Sequence, residues 1–267
     1  MRKLIIIIFL LFSGSIMAQN TVNQVDAHGK KQGFWTKRDA NGKLLYQATF
    51  KDNKPVGEMK RFHPNGKIMA VLNFMEGSEL SDVKLFDETG QMVAQGKYLD
   101  QKKTGEWNYF RDSKVISTES YQEGVKNGLS KRFYKTGELL EESNWQNDQL
   151  NGLYRSYFPD GKVYMECNYQ QGKRNGLFKT WFPEGPLELD GFYSADKKDK
   201  DWLTYDKSGD VLYTLKYDKG QILNPQVQDS IDAADRFDIY KPKQDSIPDP
   251  EKYMQNPEEY MNLMKSR

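Results

Sequence analysis

Short runs of alternating apolar and polar residues recur along most of the chain. In one run the apolar face carries Val163, Met165, Cys167 and Tyr169, and the other face carries Lys162, Tyr164, Glu166 and Asn168. Equivalent apolar sets are Leu44, Tyr46, Ala48 and Phe50; Ile68, Ala70, Leu72 and Phe74; Met92, Ala94, Gly96 and Tyr98; and Val211, Tyr213, Leu215 and Tyr217. A period of two residues with one apolar face predicts a half-buried β-strand.

Two glycine markers divide this pattern into units. The first marker recurs every 24 residues or a multiple, with one step of 23, at Gly33, Gly57, Gly105, Gly128, Gly152 and Gly176. Ser81 and Lys200 hold its place in two further units. The second marker follows nine residues later, as in Asn65-Gly66 and Asp160-Gly161. Because the central residues of tight hairpin turns need positive φ, Asn-Gly and Asp-Gly favour such turns, and each unit is predicted to be one β-hairpin.

The first strand of each hairpin is less regular. A bulky residue lies two positions after the first marker in most units, at Trp35, Met59, Trp107, Tyr154, Phe178 and Trp202. In most units an aromatic residue follows three positions later, at Phe62, Phe86, Phe110, Phe133, Tyr157, Trp181 and Tyr205. A spacing of three breaks the period of two, so either a β-bulge intervenes or one aromatic side chain faces away.

Eight such hairpins predict an all-β fold over residues 30–220. One hairpin is marginally stable in water, whereas stacked hairpins share a continuous apolar strip. We expect an elongated, open antiparallel meander of about sixteen strands, held together without disulfides because Cys167 is the only cysteine. Cys167 occupies the slot held elsewhere by Ala48, Leu72, Gly96, Ser143, Gly191 and Leu215, which identifies it as a packing residue.

The two ends of the chain differ from the repeats. Residues 1–18 are typical of a cleavable signal peptide, with Arg2 and Lys3 before an apolar run that is too short to span a bilayer and Ala18 before the predicted cut. Residues 19–29 are predicted to be a linker. Residues 221–267 form a polar tail in which Asn256-Pro257 marks the start of a short helix. This tail is either partly disordered, a docking helix or a cap on the last sheet edge.

Composition restricts the function. With 39 Lys and Arg against 38 Asp and Glu, the chain lacks the positive field that attracts nucleic acid. The two histidines, His28 and His63, lie in the leader and in a turn, without zinc-ligand spacing. The glycines follow hairpin spacing and form no phosphate loop. We therefore expect a non-enzymatic protein without cofactors or metal sites, and without a transmembrane segment once the signal peptide is removed.

The repeat unit resembles the MORN-repeat variant family. The residues that carry the resemblance are Asn151 to Val163, Gly105 to Phe110 and Gly176 to Gly185, with Gly, strand aromatics, a Gly turn and an aliphatic residue in order. Bacterial proteins of this kind are often named YwqK-family antitoxins. The resemblance implies a β-hairpin repeat fold, and the name implies binding and neutralisation of a partner protein.

Three functions agree with this pattern. The first is a structural or protein-binding scaffold in the cell envelope, whose partner is another envelope protein; the second is antitoxin-like neutralisation. The third is carbohydrate binding, which aromatic side chains aligned on one face would favour. The expected location is periplasmic, outer-membrane-associated or extracellular. Candidate partner-binding residues are Tyr253, Tyr260, Met261 and Met264 in the tail and Trp107 and Trp181 in the repeats.

Overall fold

The computed structural model describes residues 22–238 and contains one open antiparallel β-sheet followed by a helix. The strands are β1 (Gln24–Val25), β2 (Lys31–Arg38), β3 (Leu44–Lys51), β4 (Lys54–Phe62), β5 (Ile68–Phe74), β6 (Leu80–Phe86), β7 (Met92–Leu99), β8 (Lys102–Arg111), β9 (Lys114–Gln122), β10 (Val125–Phe133), β11 (Leu139–Gln146), β12 (Gln149–Tyr157), β13 (Val163–Gln170), β14 (Lys173–Trp181), β15 (Leu187–Ser194), β16 (Lys197–Tyr205), β17 (Val211–Asp218) and β18 (Gln221–Ile222). The helix is α1 (Pro225–Asp238).

Strands β2 to β17 form eight hairpins, which we number as units one to eight. Each strand pairs with its neighbours in chain order, all antiparallel. Residues around the second glycine marker form the hairpin turns; Gly66, for example, adopts a φ of 84° and donates its backbone N–H to His63 O. The predicted meander of about sixteen strands is confirmed.

The first glycine marker lies inside a strand and makes a bulge. In unit four, Gly105 has a φ of 63°, and the pairing of β7 with β8 shifts register across it. Lys200 adopts the same positive φ, 63°, at this place in unit eight. Ser81 does not, and β5 and β6 pair without a shift, unlike the six other junctions between units. The first marker is therefore required by the bulge and not by a turn.

A second register shift occurs within each hairpin, next to its turn. In unit six, Ser156 pairs with Met165 and Tyr157 pairs with Val163, which leaves Tyr164 as the extra residue. Strict alternation predicts Tyr164 on the polar face, and this prediction is wrong. The Tyr164 side chain is fully buried with its ring centroid 5.1 Å from that of Phe158. The bulge lies in the second strand, so it does not explain the aromatic spacing of the first strand. Tyr157 instead faces away from Tyr154: its hydroxyl donates to Glu142, the cross-strand partner of Arg155 on the other face.

Short segments cover part of both outer edges of the sheet. At the first edge β1 pairs with β2, and Thr36 N donates to Asn23 Oδ1 at 2.8 Å. At the last edge β18 pairs with β17, and Asn224 accepts from Lys216 N and donates to Thr214 O, both at 2.8 Å. Residues 24–25 of the predicted linker and residues 221–224 of the predicted tail thus belong to the sheet, where they protect edge backbone groups.

Helix α1 was not predicted, although its start carries a signal. Asn224-Pro225 repeats the Asn-Pro sequence of Asn256-Pro257, and Val227 N donates to Asn224 O at 3.0 Å. Proline suits the first helical position because its missing N–H has no intrahelical acceptor there. The predicted signal peptide and the helix predicted from Asn256 lie outside the described residues. None of the described helices is long and apolar enough to cross a membrane.

Candidate partner-binding groove

One face of the sheet carries the apolar strip, and we call it the core face. A continuous row of paired residues crosses it: Trp35, Ala48, Met59, Leu72, Val83, Gly96, Trp107, Glu119, Ser130, Ser143, Tyr154, Cys167, Phe178, Gly191, Trp202 and Leu215. Where a Trp lies beside a Gly, as Trp202 beside Gly191, the ring lies over the glycine backbone. Large and small residues therefore fill this row jointly.

The core face is packed most densely in units six to eight. Met165, Cys167, Phe178, Tyr193 and Trp202 are all buried there in one cluster, and the Phe178 and Trp202 rings stack with centroids 5.6 Å apart. A second, smaller cluster contains Val83, Ala94 and Trp107. Cys167 packs as predicted, with 1% of its surface exposed. The apolar strip is thus divided into two clusters.

Polar side chains separate these clusters in units four and five. Glu119 occupies the slot that Cys167 and Gly191 hold elsewhere, and it binds Lys126 Nζ at 2.6 Å and Tyr121 OH at 2.5 Å. Burial alone would raise the pKa of Glu119, but these hydrogen bonds outweigh it and lower the pKa. Burial and the bond to Glu119 raise the pKa of Tyr121 to about 12. Both groups therefore keep their neutral-pH charge states, and this arrangement fixes structure without offering a proton donor near pH 7.

A row of aromatic residues at the 24-residue period runs along one side of the core face. Its members are Phe50, Phe74, Tyr98, Tyr121, Trp145, Tyr169, Tyr193 and Tyr217. Cationic groups lie over five of these rings: Lys31 over Phe50, Lys103 over Tyr121, Lys126 over Trp145, Arg174 over Tyr193 and Lys198 over Tyr217. Among the described residues no cation lies over Phe74, Tyr98 or Tyr169. Phe74 and Tyr98 belong to successive units, so two neighbouring rings of the row lack a cation in units two and three.

A groove of about 540 Å³ opens at that place. Its apolar lining comprises Phe50, Pro55, Met59, Leu72, Phe74 and Tyr98, and its charged lining comprises Lys54, Arg61, Glu79 and Asp100. Units two and three carry Met59 and Val83 where units one, four and eight carry Trp35, Trp107 and Trp202. Met59 lines the groove in the slot that an indole ring fills in those units, whereas Val83 is buried with Ala94 and Trp107. The bulge-free junction at Ser81 lies in the same groove.

The structure separates the predicted partner-binding residues. Trp107 has no exposed surface: its ring lies over Gly96, and its indole N–H donates to Lys97 O at 3.1 Å. It is a core residue, so its side chain does not present a binding surface. Trp181 keeps part of its surface exposed at the turn end of β14. Tyr253, Tyr260, Met261 and Met264 lie outside the described residues.

Sequence reasoning missed the groove, although a signal was present. The signal is the loss of the large aromatic residue at Met59 and Val83 in two successive units, together with Ser81 in place of the first glycine. Within residues 22–238, no cluster of His, Cys, Asp and Glu could hold a metal ion. Among the described residues, the groove is the candidate binding site that we consider further.

Comparisons with known proteins support the repeat assignment. Residues 31–52, 55–75, 126–147 and 150–171, which lie in units one, two, five and six, match the family model described as MORN repeat variant. No curated protein matches the chain in a sequence search. One matching solved structure, titled "Crystal Structure of TarM", is 16% identical and aligns over 37% of this chain and 20% of that chain, with a TM-score of 0.26. That likeness is too weak to support any inference.

Proposed function

We propose, from the premise that this chain is a MORN-repeat protein, that it is an exported, non-catalytic scaffold which binds a partner protein in the groove of units two and three. The observation that carries the proposal is the composition of the groove. Its lining combines Met, Leu and aromatic side chains with a charged margin that includes Arg61. This composition is typical of protein–protein interfaces, where aromatic residues, Met and Arg are enriched inside a polar rim.

The rest of the sheet serves as a rigid support in this proposal. Buried aromatic packing in units six to eight and the polar contacts of units four and five fix the backbone on one side of the groove. Binding sites on preformed surfaces lose less conformational entropy on association. Antitoxin-like neutralisation would be a special case in which the bound partner is a toxin. The partner proposed here is another protein of the cell envelope.

Affinity capture from the native envelope tests the groove. The full chain carries an affinity tag and is compared with Met59→Trp, which adds an indole ring inside the groove. The matched control is Val211→Trp, which adds the same ring at a half-exposed site in unit eight. We expect a stoichiometric partner to be captured by the wild type and the control and lost from Met59→Trp. Undiminished capture by Met59→Trp would contradict the proposal.

A fourth form, ending at Gly220, separates the groove from the tail. If the partner were lost on truncation alone, the binding site would lie in the tail, where Tyr253, Tyr260, Met261 and Met264 are the candidates. Retention by the truncated form is the result that the groove requires. Export is tested independently by fractionating the cells and measuring the mass of the mature chain, which we expect to begin at Gln19. A chain retained in the cytoplasm would contradict export.

Carbohydrate binding is a second candidate, because eight aromatic residues recur on one face at the period of the repeat. Partly exposed aromatic rings with that regular spacing suit stacking on successive sugars. Five of these rings already carry a Lys or Arg side chain, as Lys126 Nζ does at 4.6 Å from the Trp145 ring. Those contacts compete with sugar stacking, and for this reason the protein partner is preferred. Retention of wild-type protein on immobilised envelope polysaccharide would favour the second candidate.

A further inference from the structure

Two arginines occupy the same slot in different units but have different surroundings. Arg132 in unit five pairs across the hairpin with Glu141, and Arg132 Nη1 lies 3.2 Å from Glu141 Oε2. Arg61 in unit two pairs across its hairpin with Ala70. Among residues 22–232, no carboxylate oxygen lies within 4.0 Å of the Arg61 guanidinium. Unit two therefore keeps the cation of this pair and lacks the anion.

Arg61 borders the apolar part of the groove. It is exposed and belongs to the groove lining together with Met59, two residues earlier on the same strand, and Leu72, its diagonal neighbour across the hairpin. No hydrogen bond to the Arg61 side chain occurs among the described residues. An unpaired guanidinium next to apolar side chains recognises a planar carboxylate well, because its donors can bind both carboxylate oxygens.

We infer that the partner segment is an acidic peptide, which inserts an apolar side chain beside Met59 and Leu72 and places an Asp or Glu carboxylate on Arg61. The inference rests on the proposed function and names the partner chemistry of that same groove. In the complex, the carboxylate of the partner would take the position that Glu141 holds beside Arg132. Charge complementarity is the reason for choosing an acidic ligand.

The other end of the groove favours a peptide over an acidic lipid. Lys54 and Glu79 form an ion pair of 3.5 Å there, and Asn53, Ser78, Asp100 and Gln101 complete the lining. These groups offer both hydrogen-bond donors and acceptors, which suit the backbone of a peptide.

Selection from a phage-displayed library of random heptapeptides tests the inference. The bait is the full mature chain, in three forms: wild type, Arg61→Glu and Met59→Trp. We expect the wild type to enrich peptides with a large apolar residue close to Asp or Glu. The charge-reversed Arg61→Glu form should enrich Lys or Arg at the same position, because its groove then carries the opposite charge.

Affinity measurements on a selected peptide, made by fluorescence anisotropy, give the second readout. Loss of a charged hydrogen bond predicts that Arg61→Met weakens binding by about tenfold or more. The control is Lys37→Met, which removes a cation from the same slot in unit one, outside the groove. Because the Arg61 side chain has no hydrogen-bond or ion-pair partner in the part of the chain that the structure describes, we expect Arg61→Met to leave the thermal unfolding midpoint unchanged.

The outcomes distinguish this inference from the proposed function. Peptides that show no preference for an acidic residue, or that bind Arg61→Met as tightly as the wild type, would overturn the acidic-peptide inference and leave the groove as the binding site. Peptides that bind Met59→Trp undiminished would overturn both. Failure to enrich any peptide would count against the inference, and envelope capture would then judge the groove alone.

Discussion

Units two and three and units seven and eight share one backbone plan but use it differently. In units seven and eight, Phe178 and Trp202 flank Gly191, and their rings fill the core face. In unit two the corresponding slot holds Met59, which lines the groove, and in unit three it holds Val83, which is buried beside the groove in the cluster of Trp107. The strands pair in the same order in both regions, so the difference lies in the side chains and in the bulge-free junction at Ser81. A small residue in this slot does not open a groove by itself, because Ser130 of unit five is buried there.

This difference shows how a repeat protein can acquire a site without a new loop or domain. Each hairpin contacts mainly its neighbours, so replacing one large residue opens space locally and leaves distant units intact. The missing bulge at Ser81 accompanies the change, and the regular pairing of β5 with β6 continues through the groove. The comparison suggests that single hairpins can acquire a binding site through side-chain changes while the backbone of the sheet stays the same.

The largest expected effect comes from truncating the same slot in the two regions. Trp202 is 2% exposed, and Trp202→Ala should reduce the free energy of unfolding by about 3–5 kcal/mol through lost burial and a cavity. Met59 is partly exposed in the groove, so Met59→Ala should cost less than about 2 kcal/mol. Urea denaturation followed by far-ultraviolet circular dichroism measures both. Equal costs would contradict the division into core and groove.

A smaller effect is expected from adding one methyl group beneath the Trp202 ring. A Cβ atom at Gly191 would lie 2.4 Å from the nearest Trp202 ring carbon, too close for any side chain. Gly191→Ala should therefore reduce the free energy of unfolding by about 1–3 kcal/mol through overpacking. The same denaturation experiment serves here.

The control is a double-mutant cycle with Trp202→Ala. Once the ring is gone, Gly191→Ala should cost little, and the coupling free energy isolates the close approach of the ring to the backbone. If Gly191→Ala cost the same with and without the ring, the requirement for glycine would lie in the backbone and not in the packing of Trp202.

Much of this fold can be predicted from the sequence, because each repeat carries two independent signals: the turn residues and the alternation of apolar and polar residues along the strands. Turn residues such as Asn65-Gly66 fix the hairpins, and alternation along β3 or β5 fixes the face. The position of Tyr164 could not be predicted, because a bulge changes the register by one residue and so changes which side chains face the core. Asn224-Pro225 carries a signal for the start of helix α1, but the acidic stretch after it is also typical of a polar tail, so the sequence alone does not separate the two.

The groove was harder to predict than the hairpins. Its lining comes mainly from units two and three, so it depends on how β5 pairs with β6. The replacement of the first glycine by Ser81 does not tell which residues of these two strands pair. Arg61 and Arg132 look equivalent in sequence; only the cross-strand partners Ala70 and Glu141 distinguish them. The groove and its unpaired arginine are recognisable only when equivalent positions of different units are compared together with their cross-strand partners, which requires the strand register.

The smallest expected effect concerns Glu119, which divides the packed region from the groove region. Its pKa in the folded chain lies below the usual value of 4.5, because bonds from Lys126 and Tyr121 outweigh its burial. A lowered pKa contributes stability above the unfolded-state pKa, and this contribution is lost as the pH falls through the folded-state value. Glu119→Gln should therefore reduce the free energy of unfolding at pH 7 by under about 1 kcal/mol, as partly exposed ion pairs do.

The pH dependence of that difference separates the charge effect from simple loss of packing. We expect the gap in stability between wild type and Glu119→Gln to be constant from pH 7 to about 5 and to shrink below the usual Glu pKa, as Glu119 becomes protonated. Lys126→Gln is the matched variant: it should show the same narrowing, and the double variant should add little. A gap that persisted unchanged to pH 3 would mean that the Glu119 carboxylate is not held by Lys126. The polar residues between the two apolar clusters would then contribute by shape alone.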